Sequence, residues 1–476
     1  MIGINSPKRL LLGGKWRETD STFDVRSPYS NELVSKVCQA NASDIEEALA
    51  AAASAAEKMR ELPRFQIAAN LKRIASGIEE RREEFARTIA LEAAKPIRVA
   101  RGEVMRAVST FEMAAAEAQN FAGEVVPIDT QALGRDRFGW TERIPRGVVF
   151  GITPFNFPIN LVAHKVAPAL ASKNAIVLKP SPRTPLTAVL LGEVFLESNF
   201  PKAALQILNM DVELIEDVLK DDRVNMVSFT GSVEVGWKIR EKAARKAVAL
   251  ELGGNAPVIV DETADVKSSL DRSVMGAFVY AGQVCISAQR FFVHEQIFDD
   301  WTNEFVKKAQ KLKIGDPLDE QTELSVMITA EAAARAESWI DEAVNNGAKL
   351  LCGGKREGAL LPATVLTDTQ PEMRVVSEEV FAPIAVVEKF TDFNAALDAA
   401  NQTKYGLQAG VFTQNLARMR EAAAKLEFGG VMINDVPTFR VDNMPYGGVK
   451  LAGFGREGVR YAMEEMTETR LIVVNS

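Results

Sequence analysis

From position 147 onward, short uncharged runs rich in β-branched residues alternate with helix-length segments, a rhythm that few folds accommodate. Val148-Val149-Phe150, Ala175-Ile176-Val177-Leu178 and Val224 to Phe229 are the first such runs. Continuously apolar strands, as opposed to alternating ones, imply a sheet covered on both faces, and helices between them imply parallel pairing by crossover. The expected fold class is therefore α/β. In such sheets ligands bind beyond the carboxyl ends of the strands, where Asn156, Lys179 and Gly231 fall. A second α/β series begins at Ala256-Pro257-Val258-Ile259-Val260 and includes the helix-like Ser268 to Ala281, with Gly253-Gly254 as a hinge. The chain's 476 residues exceed the roughly 250 to 300 at which one core stops growing, so more than one domain is expected.

The first hundred-odd residues read as helical. Ser43-Asp44-Ile45-Glu46 has the form of a capping box opening an Ala-rich helix to Met59, and Pro63 closes it. Arg64 to Ala94 and Ile97 to Gln119 repeat apolar residues at helical spacing as two long helices, with a break at Pro96. Gly123 to Thr141 is rich in turn formers and reads as a protruding hairpin.

Several function classes are disfavoured. A net charge of -8, with Lys and Arg scattered, gives no attraction to nucleic acid. The longest charge-free stretch, Gly147 to Ala163, carries Pro154, Pro158, Asn156 and Asn160, which argues against a membrane span. Leu10 to Leu12 is too short an apolar run for a secretory signal, so a cytoplasmic protein is expected. Three separated cysteines argue against a disulfide framework, and two histidines without nearby cysteines leave no zinc or other metal site to expect.

Cys285 lies in Gly282-Gln283-Val284-Cys285-Ile286-Ser287, just past a helix-like segment and among flexible and polar neighbours, as an accessible nucleophile requires. Its ordinary alternative is a small buried hydrophobe, which suits Cys38 and Cys352 better. Glu251 interrupts the apolar run Ala247 to Leu252, where a carboxylate is costly unless paired, solvated or neutral. A raised pKa there suits a general base; an exposed strand end is the alternative. Asn156 is held between Pro154 and Pro158, either aimed as a donor or forming a turn. Gly453-Phe454-Gly455-Arg456-Glu457-Gly458 matches a dinucleotide fingerprint by letters, but too few residues follow for a βαβ unit. Phe229-Thr230-Gly231-Ser232, at a strand-to-helix turn, is the better phosphate cradle.

These segments, together with Glu379-Val380-Phe381-Ala382-Pro383, resemble the NAD(P)-dependent aldehyde dehydrogenase superfamily in order and spacing. Pro445-Tyr446-Gly447-Gly448-Val449-Lys450 and Gly455-Arg456-Glu457 extend the likeness over essentially the whole chain. Its nearest members are lactaldehyde dehydrogenases and non-phosphorylating glyceraldehyde-3-phosphate dehydrogenases, partly through Phe439 to Pro445. The resemblance implies a Rossmann-like cofactor domain over 1–122 and 142–252 and an α/β catalytic domain over 253–440. It also implies a β oligomerisation arm over 123–141 and 463–476, in a homodimer or homotetramer. It implies Cys285 as nucleophile, Asn156 as oxyanion donor and Glu251 as hydrolytic base. NAD or NADP would be held by Ile152, Thr153, Lys179, Ser181, Phe229, Gly231, Ser232, Leu252, Glu379 and Phe381.

Many NAD-preferring relatives carry a Glu two residues after the Pro of Lys179-Pro180, where this chain has Ser181-Pro182, so discrimination against NADP is expected to be weak. By the same likeness His164 and Arg440 fall where relatives contact substrate, which points to a short polar or anionic aldehyde such as lactaldehyde. Val284 before the cysteine disfavours a phosphorylated one. A semialdehyde such as succinic semialdehyde, a CoA-acylating dehydrogenase and a non-catalytic NAD(P)-binding protein are the alternatives.

Overall fold

Four short strands precede the first helix, which corrects the reading of a wholly helical N-terminal region. In the computed structural model, which describes residues 7–475, these are β1 (Leu10–Leu12), β2 (Lys15–Arg17), β3 (Thr22–Arg26) and β4 (Leu33–Cys38). β1 and β2, of three residues each, are too short to show a period of their own. β1 and β2 pair with each other, as do β3 and β4, and a distant partner ties the first pair to the main sheet: Leu11 pairs with Ile207. Positions 1–6 and 476, at the ends of the expected ranges 1–122 and 463–476, lie outside the described residues.

The helices α1 (Ala42–Glu61), α2 (Arg64–Glu80), α3 (Arg82–Ala93) and α4 (Ile97–Asn120) follow. The capping box of α1 sits two residues earlier than its letters indicate. Asn41 accepts from the Ser43 and Asp44 amides, and Asp44 reaches back to the Asn41 amide. The segment expected as one helix from Arg64 to Ala94 is two, broken at Arg81, whose guanidinium ties Glu84 and Glu193.

The remaining elements are β5 (Val125–Val126), β6 (Arg137–Pro145), β7 (Val148–Ile152), α5 (Asn160–Ala171), β8 (Ala175–Lys179), α6 (Leu186–Glu197), β9 (Leu205–Ile207), α7 (Val212–Lys220), β10 (Val224–Thr230), α8 (Val233–Lys242) and β11 (Ala247–Glu251). After them come β12 (Ala256–Val260), α9 (Val266–Phe278), β13 (Ala288–His294), β14 (Lys349–Cys352), β15 (Thr364–Thr367), β16 (Ile384–Phe390), β17 (Gln408–Phe412), β18 (Gly430–Ile433), β19 (Gly453–Phe454) and β20 (Thr467–Asn475), with further helices between. The first sheet runs β19-β11-β10-β7-β8-β9-β1-β2 and the second β14-β15-β16-β13-β12-β17-β18. Each has a parallel centre, as the apolar runs require. β7 and β8 are wholly buried.

Parallel register lines up the strand ends. Ile152 pairs with both Lys179 and Phe229, and Thr230 with Glu251, so residues far apart in sequence share one carboxyl edge. The Gly453–Phe454 strand joins this sheet antiparallel to β11, as an edge and not as the start of a βαβ unit. The expected hairpin forms between β5 and β6, and β20 pairs along all of β6 to complete a third sheet. Among the described residues no helix is long and apolar enough to cross a membrane.

Candidate active site

Cys285 owes its position to a sharp reversal after α9. Tyr280, Ala281 and Gly282 all take left-handed backbone angles, with φ of 50°, 52° and 64°. Such strain in non-glycine residues persists only where surroundings over-determine it. Here Tyr280 is buried and donates its hydroxyl to the Ala93 carbonyl at 2.8 Å. Gly282 is required twice, by its φ and because a Cβ there would overlap the Ala382 carbonyl. The turn leaves Cys285 half-buried in the wall of a cavity of about 330 Å³.

Asn156 and Glu251 line the same cavity. Asn156 donates from Nδ2 to the Gln283 carbonyl at 2.9 Å, which uses one of its two N–H groups and leaves the other. Its backbone carbonyl accepts from the buried Lys95 ammonium at 2.6 Å, and Lys95 pairs with buried Glu103. Glu103 in turn accepts from the Ile159 and Asn160 amides. The loop is thus held by a buried ion pair as well as by its two prolines.

Glu251 ends β11 and is 4% exposed, not the exposed strand end of the alternative reading. Its Oε2 has no hydrogen-bond partner among the described residues. Burial, and then the negative charge of Glu457, raise its carboxyl well above the ordinary range. Glu457 is itself ionised: burial alone would raise it, but Lys165 at 3.1 Å and Arg440 at 3.2 Å hold it below the ordinary range. Two carboxyls share one neighbourhood, and the cations decide which is charged. Burial also lifts the Cys285 thiol, to about 11.

The remaining predicted residues fall into two groups. Gly231, Ser232, Leu252, Glu379 and Phe381 line the cavity, whereas Ile152, Thr153, Lys179, Ser181 and Phe229 are buried along or just past the adjoining strand ends. Several have unused bonding capacity. Among the described residues the Lys179 ammonium reaches only the Pro180 carbonyl, at 3.4 Å. Ser232 places no side-chain cap on α8, so the first amides of that helix stay open to an anion. Burial raises Glu379 to about 7, and its carboxyl accepts from the Gly254 amide at 3.1 Å. A Cβ at Gly253 would overlap that carboxyl. An open helix N-terminus, a spare ammonium and a spare carboxyl fit the phosphates and ribose hydroxyls of a dinucleotide.

His164 and Arg440 are outside the cavity lining. His164 is buried with Nε2 2.9 Å from Asp442 and Nδ1 unpartnered. Arg440, far from forming a surface pair, has a side chain 6% exposed, a bond to Glu457 and an unpartnered Nε. Its guanidinium lies 3.7 Å from the centroid of the Tyr446 ring. Sequence reasoning assigned no role to Tyr446, Lys95, Lys165 or Glu457. A lysine inside the apolar run of α5 was the one visible signal for the last pair; their meeting across 292 residues was not.

The aldehyde dehydrogenase family model matches residues 16–472. The 3-sulfolactaldehyde dehydrogenase of Priestia megaterium is 42% identical over 468 residues, covering 98% of each chain. Aldehyde dehydrogenase 21 of Physcomitrella patens, solved with its reaction product succinate, superposes with a TM-score of 0.97 at 41% identity over 99% of each chain. A glyceraldehyde-3-phosphate dehydrogenase of Methanocaldococcus jannaschii complexed with NADP gives a TM-score of 0.92 at 41% identity, over 97% of this chain and 100% of that one. With fold, cavity and relatives in agreement from end to end, the chain belongs to the aldehyde dehydrogenase family and is an NAD(P)-dependent oxidoreductase acting on an aldehyde.

Proposed function

We propose that this enzyme oxidises a short hydroxyaldehyde with a polar or anionic tail to the carboxylic acid, through a thioester on Cys285 that Glu251 hydrolyses. The observation that carries the reading is one cavity lined by a thiol, a carboxyl that burial holds well above its ordinary range and an amide with a spare donor. The Cys285 sulfur attacks the aldehyde carbon and gives up its proton, which passes by way of Glu251, in the wall of the same cavity, to solvent. The alkoxide so formed meets the free N–H of Asn156 and the Cys285 amide, each such donor contributing on the order of 100- to 1000-fold. Bound NAD(P) supplies the hydride acceptor by which the thiohemiacetal becomes a thioester. Glu251, once its own proton has passed to solvent, then removes a proton from water as the water oxygen bonds to the acyl carbon; the C–S bond breaks, the sulfur leaves as thiolate or takes the proton back from Glu251, and the acid departs.

Lys179, Gly231, Ser232 and Glu379 are the proposed dinucleotide ligands, with Ile152, Thr153, Phe229, Leu252 and Phe381 packing about it. Ser181-Pro182 offers no carboxylate to repel a 2'-phosphate and Arg183 is exposed beside it, which supports use of NADP as well as NAD.

The tail reading rests on Arg440 and His164, one layer beyond the nucleophile. Each has a buried, unpartnered N–H or ring nitrogen, a costly arrangement unless something else binds there. The names of the three relatives include a sulfonated hydroxyaldehyde, a dicarboxylate product and a phosphorylated aldehyde, all with anionic tails. A semialdehyde is the second reading, favoured by the succinate of the plant neighbour.

The test is a panel of lactaldehyde, sulfolactaldehyde, succinic semialdehyde, glyceraldehyde-3-phosphate and an unsubstituted alkanal. Each is run with NAD or NADP, with and without CoA, following reduced cofactor. A kcat/KM for a tailed substrate at least about ten-fold above the alkanal, without CoA, is expected, since one buried hydrogen bond to a charged group is of that order. A preference for the alkanal overturns the tail assignment. Strict dependence on CoA overturns hydrolysis.

A further inference from the structure

We infer that Tyr446 is a further catalytic residue of this site, a phenol that donates a hydrogen bond to the Cys285 thiolate and sets the pH at which the nucleophile is armed. The Tyr446 hydroxyl lies 3.0 Å from the Cys285 sulfur, within hydrogen-bond distance. The inference deepens the thiol chemistry proposed above, because it concerns how Cys285 becomes a nucleophile.

The phenol is rigidly held. Its residue is 2% exposed, and its backbone is clamped by reciprocal hydrogen bonds with Glu457 at 3.0 and 2.6 Å. The ring packs with Val284, Ile286, Leu407 and Ala452. Between a thiol and a phenol either group is able to donate, but once the sulfur is a thiolate only the phenol has a proton to give. The direction of the bond in the reactive state follows from that alone. Burial keeps Tyr446 from ionising within the working range, so the donor is permanent.

Arg440 strengthens it. A guanidinium 3.7 Å from the ring centroid withdraws electron density from the phenol and makes its O–H a better donor. The charged and titratable groups facing the sulfur are Tyr446, Arg440, Glu379 and Glu251: the first two favour the thiolate and the carboxyls oppose it. Tyr446 is the one in direct hydrogen-bond contact. Proton balance is simple: the thiol proton leaves to a base or to water, and the phenol keeps its own while sharing it with sulfur.

The test replaces Tyr446→Phe, which keeps the ring, its packing and the stacked guanidinium and removes only the hydroxyl. The purified enzyme, without cofactor or aldehyde, is alkylated with iodoacetamide over a range of pH. The Cys285 peptide is followed by mass spectrometry, so that Cys38 and Cys352 do not contribute. The midpoint is expected to move up by about one pH unit, leaving about ten-fold less thiolate near neutrality, as a hydrogen bond to a charged group is of that size. A midpoint that is unchanged or lower, in a variant whose circular dichroism and Tm match the parent, overturns the assignment. If the variant proves misfolded, the parent decides the matter. Its phenol ring signal should shift with thiolate formation in ultraviolet resonance Raman, and a signal indifferent to Cys285 ionisation overturns the bond. Neither readout needs turnover, so a wrong substrate assignment leaves both intact.

Discussion

At the scale of single residues, the site works by setting neighbouring groups to opposite charge states. Burial holds Glu251 well above the ordinary carboxyl range while Glu457 stays below it, because Lys165 and Arg440 bind the second directly. A base is useful only when deprotonated, so hydrolysis is expected to accelerate as pH rises toward the elevated pKa of Glu251 and to level off above it. Glu457→Gln removes the like charge and is expected to shift that limb of the kcat profile to lower pH by about one unit or more. A limb that stays or moves upward contradicts the coupling. Substitution Glu251→Gln is expected to leave a single burst of reduced cofactor followed by turnover about 100- to 10,000-fold slower, and Cys285→Ala to show neither burst nor turnover. Rapid-quench kinetics distinguishes the two. The depressed Glu457 also ties stability to pH. Its contribution is present above the ordinary value of 4.5 and is lost as pH falls below it, so Tm is expected to drop in that acid range and less so in Glu457→Gln.

At the scale of elements, loops and turns aim the reactive groups while strands hold the sheet edge. The turn after α9 places the nucleophile through three successive left-handed residues, and Gly282→Ala should destabilise by at least about 1–3 kcal/mol and lower Cys285 alkylation. Thermal denaturation and alkylation rates check both effects. The Asn156 loop depends on Lys95 in the turn between α3 and α4. Lys95→Met strands the buried Glu103 carboxylate and is expected to cost about 3–5 kcal/mol, most of it recovered by adding Glu103→Gln. Urea denaturation of the single and double variants measures the recovery. A double variant no more stable than the single would mean that the ion pair is not what holds the loop.

At the scale of the whole molecule, the third sheet stands out because it exposes what other strands bury. β20 is an edge strand, and Leu471, Val473 and Val474 are 55, 43 and 48% exposed, with Phe138 of β6 at 56%. An exposed edge of this kind invites pairing with another chain. This supports the expected role of 123–141 and 463–476 as an oligomerisation arm. Light scattering on the wild type is expected to give a multiple of 52.0 kDa, and Leu471→Lys with Val473→Lys a species near 52.0 kDa. An unchanged mass in the variant would place the interface elsewhere.

Much of this was legible before folding. The parallel α/β class follows from continuous apolar strands such as Val148–Ile152, whose composition suits only a sheet covered on both faces. Cys285, Glu251 and Asn156 stood out because a reactive or costly group in an unusual setting is a local property, readable one segment at a time. Strands of three residues such as β1 were not legible, since three residues carry no period and what joins the β1–β2 hairpin to the main sheet is β9, almost two hundred positions away. Nor were Lys95 with Glu103, Lys165 with Glu457, or the phenol of Tyr446 against the Cys285 sulfur. Residue types and spacing determine which segments form helices and strands and which groups are reactive. Only the tertiary structure decides which charges meet in low dielectric, and hence which carboxyl is neutral and which side chain touches the thiol, because those energies depend on distance and burial, not on order along the chain.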